Sequence, residues 1–588
     1  MSKFSRREFV YMMAILGAAP VFANSHTRMV ETTKKIEDYY KLKPFGNARF
    51  IHMTDSHAQL LPVYFREPSV NLGFYGNLGK PPHIVGEKFL DYYGIKGNKR
   101  LEYAFSCVNF EEHAKVMGKT GGFAQIKTVV DFLRDSFGKD KTLFLDGGDT
   151  WQGSATALWT RGKDMVGALN LLGADICVGH WEFTYKAEEV LENIKALNAE
   201  FLAQNIFVKE DSMMNGVEAF DEDSGHAFKP YTIKTLGKAR VAIIGQAFPY
   251  TTIANPQRFI PDWTFGINEN SMQELVDKIK DEEKPDAIIV LSHNGFDTDK
   301  KMAEVCTGID FIIGGHTHDG VPEAYPVKNS SGTTYVCNAG SNGKFLNVLD
   351  LDIQNGKIKD FKFTLLPIFS DLIPENKEMK KYIEDVRLPY LKELTRPIAT
   401  TEETLFRRGN FNGSWDQIIC DALIDVKGAQ ISLSPGFRWG TSVMPNQTIT
   451  FDDLMTQTAM TYPETYARDI KGSEIKLILE DVADNLFNED PFLQQGGDMV
   501  RTGGISYKID PKAKIGRRIT NIVLSKTGEK LDANKSYKVA GWSTVGAQSE
   551  GEPIWETVET YLKNMKHISK IKIDTPDIVG VKGNPGII

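Results

Sequence analysis

At 588 residues the chain is longer than one hydrophobic core serves, so about two to four domains are expected. Its 41% apolar and 25% charged residues exclude a fibrous, coiled-coil or low-complexity protein. A formal net charge of −8 argues against nucleic acid and against an anionic membrane surface as binding partners.

Residues 1–23 read as an export signal rather than as part of the fold. SRREFVYM carries Arg6-Arg7 followed by Phe9, and then an apolar run from Val10 to Ala19. That run is too short for a membrane span, which needs about 20 residues. The small residues of VFA before Asn24 predict cleavage after Ala23. The paired arginines resemble a twin-arginine signal, which exports folded and often metal-loaded proteins and predicts a periplasmic location. Cys107, Cys177, Cys306, Cys337 and Cys420 are odd in number and contain no CxxC, so they read as buried free thiols.

Over residues 44–370, short β-type apolar runs alternate with longer helical patterns. RFIHM, TLFLD, ICVG, RVAIIG, AIIVLS, FIIGG and TYVCNAG are the runs, and KAEEVLENIKALN is one of the helical stretches. This order predicts an α/β layered fold whose near-continuous apolar strands are covered on both faces. Residues 62–120 interrupt it with a Gly-, Pro-, Asn- and aromatic-rich stretch, long for a loop, that reads as an insertion near the functional end. Residues 371–396 are charged and helical, a connector. Residues 397–577 then form a second unit with helices in WDQIICDALIDV and SEIKLILEDVADNLF and strands in ITNIVL and SYKVAGW.

The polar residues of interest stand where the apolar runs stop. FIHM ends in Thr54-Asp55-Ser56-His57, TLFLD in Gly147-Gly148-Asp149 and ICV in Gly179-His180-Trp181-Glu182. IIVLS ends in His293-Asn294-Gly295 and FIIGG in His316-Thr317-His318. In layered α/β folds the carboxyl ends of the strands converge on one edge, where ligands bind. Five of eleven histidines and two aspartates therefore share one predicted edge. In extended chain, residues i and i+2 face the same way, so Asp55 with His57, and His316 with His318, can each offer two donors together. Seven donors exceed one tetrahedral centre, which implies two ions sharing an aspartate. Imidazole and carboxylate without thiolate suits manganese, iron or zinc.

DSH, GGD, GH(W)E, SHNG and GHTH in this order resemble the calcineurin-type metallophosphoesterases. With the second unit, nearly all of residues 44–577 resembles their 5′-nucleotidase branch. Within it, HMTDSHAQLLPVYFREPSVNLG, DGGDTWQGSATALW, VGHWEFTY and SPGFRWG resemble the SoxB thiosulfohydrolases of bacterial Sox sulfur oxidation. The resemblance implies a four-layer α/β/β/α sandwich followed by a C-terminal α+β domain of 5′-nucleotidase type. It implies that Asp55, His57 and His318 bind one manganese, that His180, His293 and His316 bind the other, and that Asp149 bridges them. It also implies a SoxYZ-like carrier protein as partner, its cysteine bearing the substrate.

One motif departs from the nucleotidases. They read Gly-Asn-His-Glu, with the asparagine a ligand and the histidine acting on the transferred phosphoryl group. This chain reads Gly179-His180-Trp181-Glu182, and an aspartate that follows there is Thr184 here. An indole exchanges no proton, and general acid–base help is worth about 10²–10⁴-fold. Its loss suits a leaving group that departs unprotonated, as a persulfide anion can, and suits an alkoxide badly. In the second unit, Arg438 of Ser434-Pro435-Gly436-Phe437-Arg438 stands where nucleotidases carry an arginine and is the expected anion clamp. Arg407 and Arg501 lie in comparable regions. Pro463-Glu464-Thr465-Tyr466 replaces a nucleotidase segment whose phenylalanine stacks on the base. Catalytic roles are thus expected for Arg438 and Trp181. The sequence leaves three readings: a dimanganese thiosulfohydrolase, whose insertion at 62–120 would wall a narrow passage; an exported phosphoesterase or 5′-nucleotidase; and a non-enzymatic metal-bearing partner.

Overall fold

A computed structural model describes Tyr40 and residues 42–580, apart from 74 and 547. The export signal at 1–23 lies outside the described residues.

Two six-stranded sheets form the first part of the chain. One runs in the order Lys357–Pro367, Phe345–Gln354, Ala48–Met53, Thr142–Asp146, Ile176–Cys177, Glu200–Phe201. The other runs Tyr325–Asn329, Gly332–Asn338, Phe311–Gly314, Ala287–Ser292, Ala239–Gln246, Tyr231–Leu236. The strands that end in candidate donors pair in parallel within each sheet, His52 opposite Leu145 in one and Gly314 opposite Ser292 in the other. Their carboxyl ends therefore share an edge.

The apolar runs are continuous because both faces of each strand are covered. In the second sheet, Val241, Ile243, Ile289 and Leu291 belong to the core shared with the first sheet. Their neighbours Ala242, Ile244, Ile288 and Val290 pack outward with Met272, Val276 and Ile279 of the helix Glu269–Glu282 and with Met302 of Phe296–Val305. The period of two thus assigns alternate residues to two different cores. Helices Phe123–Phe137 and Lys163–Leu172 accompany the first sheet, so the layers run helix, sheet, sheet, helix.

The connector is docked, not free. Met379 and Ile383 of its helix Lys377–Arg387 are buried in the core of the first sheet. Beyond it, a four-stranded sheet (Thr465–Lys471, Ser536–Trp542, Ile431–Ser434, Arg501–Gly503) packs with the helices Ser414–Lys427 and Gly472–Phe487. The insertion joins the two parts: Tyr64 bridges Ser442, and the Leu72 side chain lies in the core of the second unit. None of the five cysteines forms a disulfide, and four of them are buried.

Candidate metal centre

Asp55 and His57 follow Ala48–Met53, Asp149 follows Thr142–Asp146, and His180 follows Ile176–Cys177. His293 follows Ala287–Ser292, and His316 and His318 follow Phe311–Gly314. All seven are buried and meet in one place. Asp149, His180, His293 and His316 offer donor atoms within 4.8 Å of one another, and so do Asp55, His57, Asp149 and His318. Asp149 belongs to both groups. Its Oδ2 lies 3.1 Å from His293 Nε2 and 3.6 Å from His57 Nε2, and its Oδ1 lies 3.2 Å from His180 Nδ1.

Tight loops make this convergence. Asp55, His57, Asp149, His316 and His318 have φ of 52°, 45°, 57°, 73° and 60°, in the left-handed region that L-residues rarely adopt. Such strain, about 1–3 kcal/mol each, concentrates at functional sites. Gly315 has no Cβ for a steric reason: one would stand 2.2 Å from Thr54 Oγ1.

The chemistry of the donors fits divalent cations. Both ring nitrogens of His316 and Nε2 of His180 are buried without a hydrogen bond, and His180 Nδ1 and His293 Nε2 have only carboxylates beside them. Leaving a polar group so costs about 1–3 kcal/mol each unless something else satisfies it. His57 Nε2 lies 3.1 Å from His318 Nε2, two lone pairs facing each other unless a proton or cation lies between. The Nδ1 atoms of His57 and His293 face the carbonyls of Gln152 and Gly147 at 3.2 and 2.5 Å, an arrangement that leaves each Nε2 free to ligate. Asp55 is oriented by Thr54 Oγ1 at 2.6 Å and by the His316 N–H at 3.0 Å, and Asp149 by the Trp181 N–H at 2.8 Å.

Electrostatics agree. Burial pushes His57 down to about 4, and it lowers His180, His316 and His318 as well, so these imidazoles are neutral and ligand-competent. Burial also opposes charging of His293, but Asp149 and Asp55 outweigh it and push its pKa up to about 10. Against burial, His293 and His180 hold the Asp149 carboxyl well below the usual range. With no cation present, the two carboxylates thus favour a protonated His293, and a cation bound between them would take the place of that proton.

A cavity of about 270 Å³ opens beside this cluster. One side is polar: His57, Asp149, His180, His316 and His318. The other is aromatic. Trp181 meets Trp439 edge-on at 5.0 Å and Phe437 at 5.5 Å, while Phe437 stacks on Trp439 at 4.0 Å. The last pair is already in face contact and leaves no gap for a nucleobase. Thr184, in place of the nucleotidase aspartate, faces the second unit, 2.7 Å from Thr461 Oγ1. Of the segment expected to contrast with the base-binding loop, none of Pro463–Tyr466 lines the cavity, whereas the preceding Tyr462 does.

Arg438 borders the cavity and donates to Gly497 O at 2.7 Å, His316 O at 3.2 Å and Asp498 Oδ1 at 3.4 Å. A guanidinium has five N–H donors, so two remain for an anion. Arg407 and Arg501 are buried and structural. Arg407 binds Asp416 and Gln457 O, and Arg501 binds Asp498 and the carbonyls of Gly409 and Phe411. Contrary to the expectation from sequence, none of the insertion's described residues lines this cavity. The insertion's Asn71, Leu72, Pro82 and His83 line a smaller neighbouring one of about 70 Å³, on which Arg438 and His316 also border.

Two residues escaped the sequence reasoning. Phe248, just past the end of Ala239–Gln246, stacks on His316 at 4.1 Å and lies 4.2 Å from His180, fixing both rings. The only sequence signal for it is its place just after RVAIIG, and a phenylalanine there, neither acid nor metal donor, does not stand out. Glu182, seen only as part of its motif, binds backbone rather than ligand.

Against known proteins, the 5′-nucleotidase C-terminal domain matches residues 397–557. The fold is similar to that of sulfate thiohydrolase SoxB from Thermus thermophilus, solved with glycerol, at 33% identity and a TM-score of 0.85 over 92% of this chain and 98% of that one. The chain belongs to the SoxB family, within the 5′-nucleotidase superfamily. Bovine 5′-nucleotidase is a more distant relative of this SoxB-family chain, 26% identical over 71% of it and 76% of the bovine protein. A 5′-nucleotidase precursor from Thermus thermophilus shares the fold, with a TM-score of 0.70 and 21% identity over 91% of this chain and all of that one. SoxB-family membership and two groups of buried donors make this protein a hydrolase of the metallophosphoesterase type with candidate sites for two ions.

Proposed function

We propose that the protein is a thiosulfohydrolase that releases sulfate from a cysteine S-thiosulfonate on a carrier protein. Water attacks the sulfonate sulfur, the S–S bond to it breaks with its electron pair, and R–S–S–SO₃⁻ + H₂O gives R–S–S⁻ + SO₄²⁻ + 2H⁺. One observation carries this reading: the metal donors face a cavity in which, among the described residues, no un-ionised carboxylic acid and no imidazole outside the donor set stands ready to protonate the leaving group. Trp181 and Thr184 replace the acid–base pair. Tyr462 donates its proton to Ala254 O, and burial raises its pKa further. Asp498, against burial, is held ionised by Arg438 and Arg501. A persulfide leaves without such help; an alkoxide does not.

When bound, two divalent ions, manganese in this proposal, supply Lewis acidity and a water acidic enough to react near neutral pH. Asp149 would hold both, with Asp55, His57 and His318 on one side and His180, His293 and His316 on the other. Arg438 offers its two uncommitted N–H groups to the sulfonate oxygens as their charge grows. Trp181, Phe437 and Trp439 give the sulfur chain a polarizable wall, each sulfur–aromatic contact worth about 0.3–1.5 kcal/mol. The carrier is proposed as a SoxYZ-like protein and the location as the periplasm, on the strength of residues 1–23.

The second reading, a 5′-nucleotidase, is favoured by the bovine relative and by the match at 397–557. Turnover of AMP and of a cysteine S-thiosulfonate by the same manganese-loaded protein separates the two. Sulfate release with negligible phosphate release is expected, and Trp181→His should not create strong AMP turnover, because Phe437 and Trp439 stay closed on each other. Rapid AMP hydrolysis by the unmodified protein would refute the specificity argument.

A further inference from the structure

Glu182 is 1% exposed and belongs to neither group of metal donors. Its carboxylate accepts four backbone N–H groups. Oε2 takes those of His180 at 2.8 Å and Asp149 at 3.2 Å, and Oε1 takes those of Thr150 at 2.7 Å and Trp151 at 3.3 Å. The first donor lies on the loop after Ile176–Cys177 and the other three on the loop after Thr142–Asp146. One anion therefore fastens two strand-end loops together, by charge-assisted bonds stronger than neutral ones.

The two loops depend on it unequally. The loop of Asp149 is also pinned by the first strand end: Asp55 N–H donates to Gly148 O and His57 N–H to Asp149 O, each at 2.8 Å. The residues flanking His180 are anchored too, Gly179 O by the Phe248 N–H at 3.2 Å and the Trp181 N–H by Asp149 Oδ1 at 2.8 Å, but His180 itself is held less firmly. Its ring packs against Phe248 and, through Nδ1, meets the Asp149 carboxylate it would share a cation with, and its N–H goes to Glu182 alone. Loss of the Glu182 carboxylate therefore frees His180 more than it frees Asp149.

We propose that Glu182 is a positioning residue that sets His180 against Asp149 and so selectively supports the ion held by Asp149, His180, His293 and His316. This rests on reading the site as a two-ion centre. The companion group of Asp55, His57, Asp149 and His318 takes only its shared aspartate from the fastened loops and is largely independent of Glu182.

The test is Glu182→Gln, because in either orientation an amide NH₂ must face two of the four N–H donors. Metal-free protein and variant are titrated with manganese by calorimetry, metal content is measured after dialysis, and thermal midpoints are recorded without metal. The unmodified protein should bind two ions; in the variant one should weaken by about 10–100-fold, the usual cost of losing an outer-shell partner, with the other unchanged. Bound metal should fall from two toward one at limiting manganese and recover in excess. Glu182→Asp, which keeps the charge but shortens the reach, should fall between, and it carries the comparison if the glutamine variant does not fold. Equal weakening of both ions, no weakening, or a lowered thermal midpoint with unaltered metal binding would overturn the proposal. A single ion in the unmodified protein would instead overturn the two-ion reading on which it rests.

Discussion

Asp149→Asn should abolish hydrolysis, by at least ~10³-fold, well beyond the about 10–100-fold that loss of an outer-shell partner costs. Asp149 is the one residue common to both donor groups, so the substitution withdraws a charged donor from both ions at once. It also removes the negative charge that, with Asp55, holds the His293 proton. His293 should then lose its proton more readily, and the site would lack both the anion and its compensating cation. The backbone should survive, because Asp55, His57 and Glu182 hold this loop through main-chain groups that asparagine keeps. Metal analysis should show loss of bound manganese with unchanged far-UV circular dichroism. Full sulfate release by this variant would place the chemistry elsewhere.

Arg438→Ala should lower kcat/KM by about 10²–10³-fold, the range for removing one preorganised donor to a developing oxyanion. Metal content should not change, because Arg438 touches the metal loop only at the carbonyl of His316. Arg438→Lys should recover little, because an ammonium lacks the planar fork that meets two oxygens together while still bonding Gly497 and Asp498. Retained activity with reduced manganese would make Arg438 a prop for His316 and leave the anion unassigned.

Asp149 and Arg438 differ in how visible they are in the sequence. The strand ends could be read because parallel strands covered on both faces are continuous apolar runs, and a polar residue at the end of such a run stands out. DSH, GGD and GHTH do so, and the two sheets carry them to one edge. The left-handed backbone at Asp55, His57, Asp149, His316 and His318 could not be read, because only glycine advertises positive φ by its identity. Phe248 and Glu182 act through ring faces and main-chain N–H groups, contacts that exist only once distant strands are adjacent. The difference between Arg438 and Arg407 is likewise tertiary: Asp416 and Gln457 O engage Arg407 away from the cavity. The insertion packs where its apolar residues find cover, against Phe345 through Phe105, and its bridge to Ser442 is a pairing that no local pattern announces.

The most direct measurement is mass spectrometry of a carrier protein bearing a cysteine S-thiosulfonate, before and after exposure to this protein with manganese. Loss of one SO₃ unit from the carrier, leaving a persulfide and an equal amount of free sulfate, is the predicted result. An unchanged carrier mass, in the presence of protein shown to hold both ions, would contradict it.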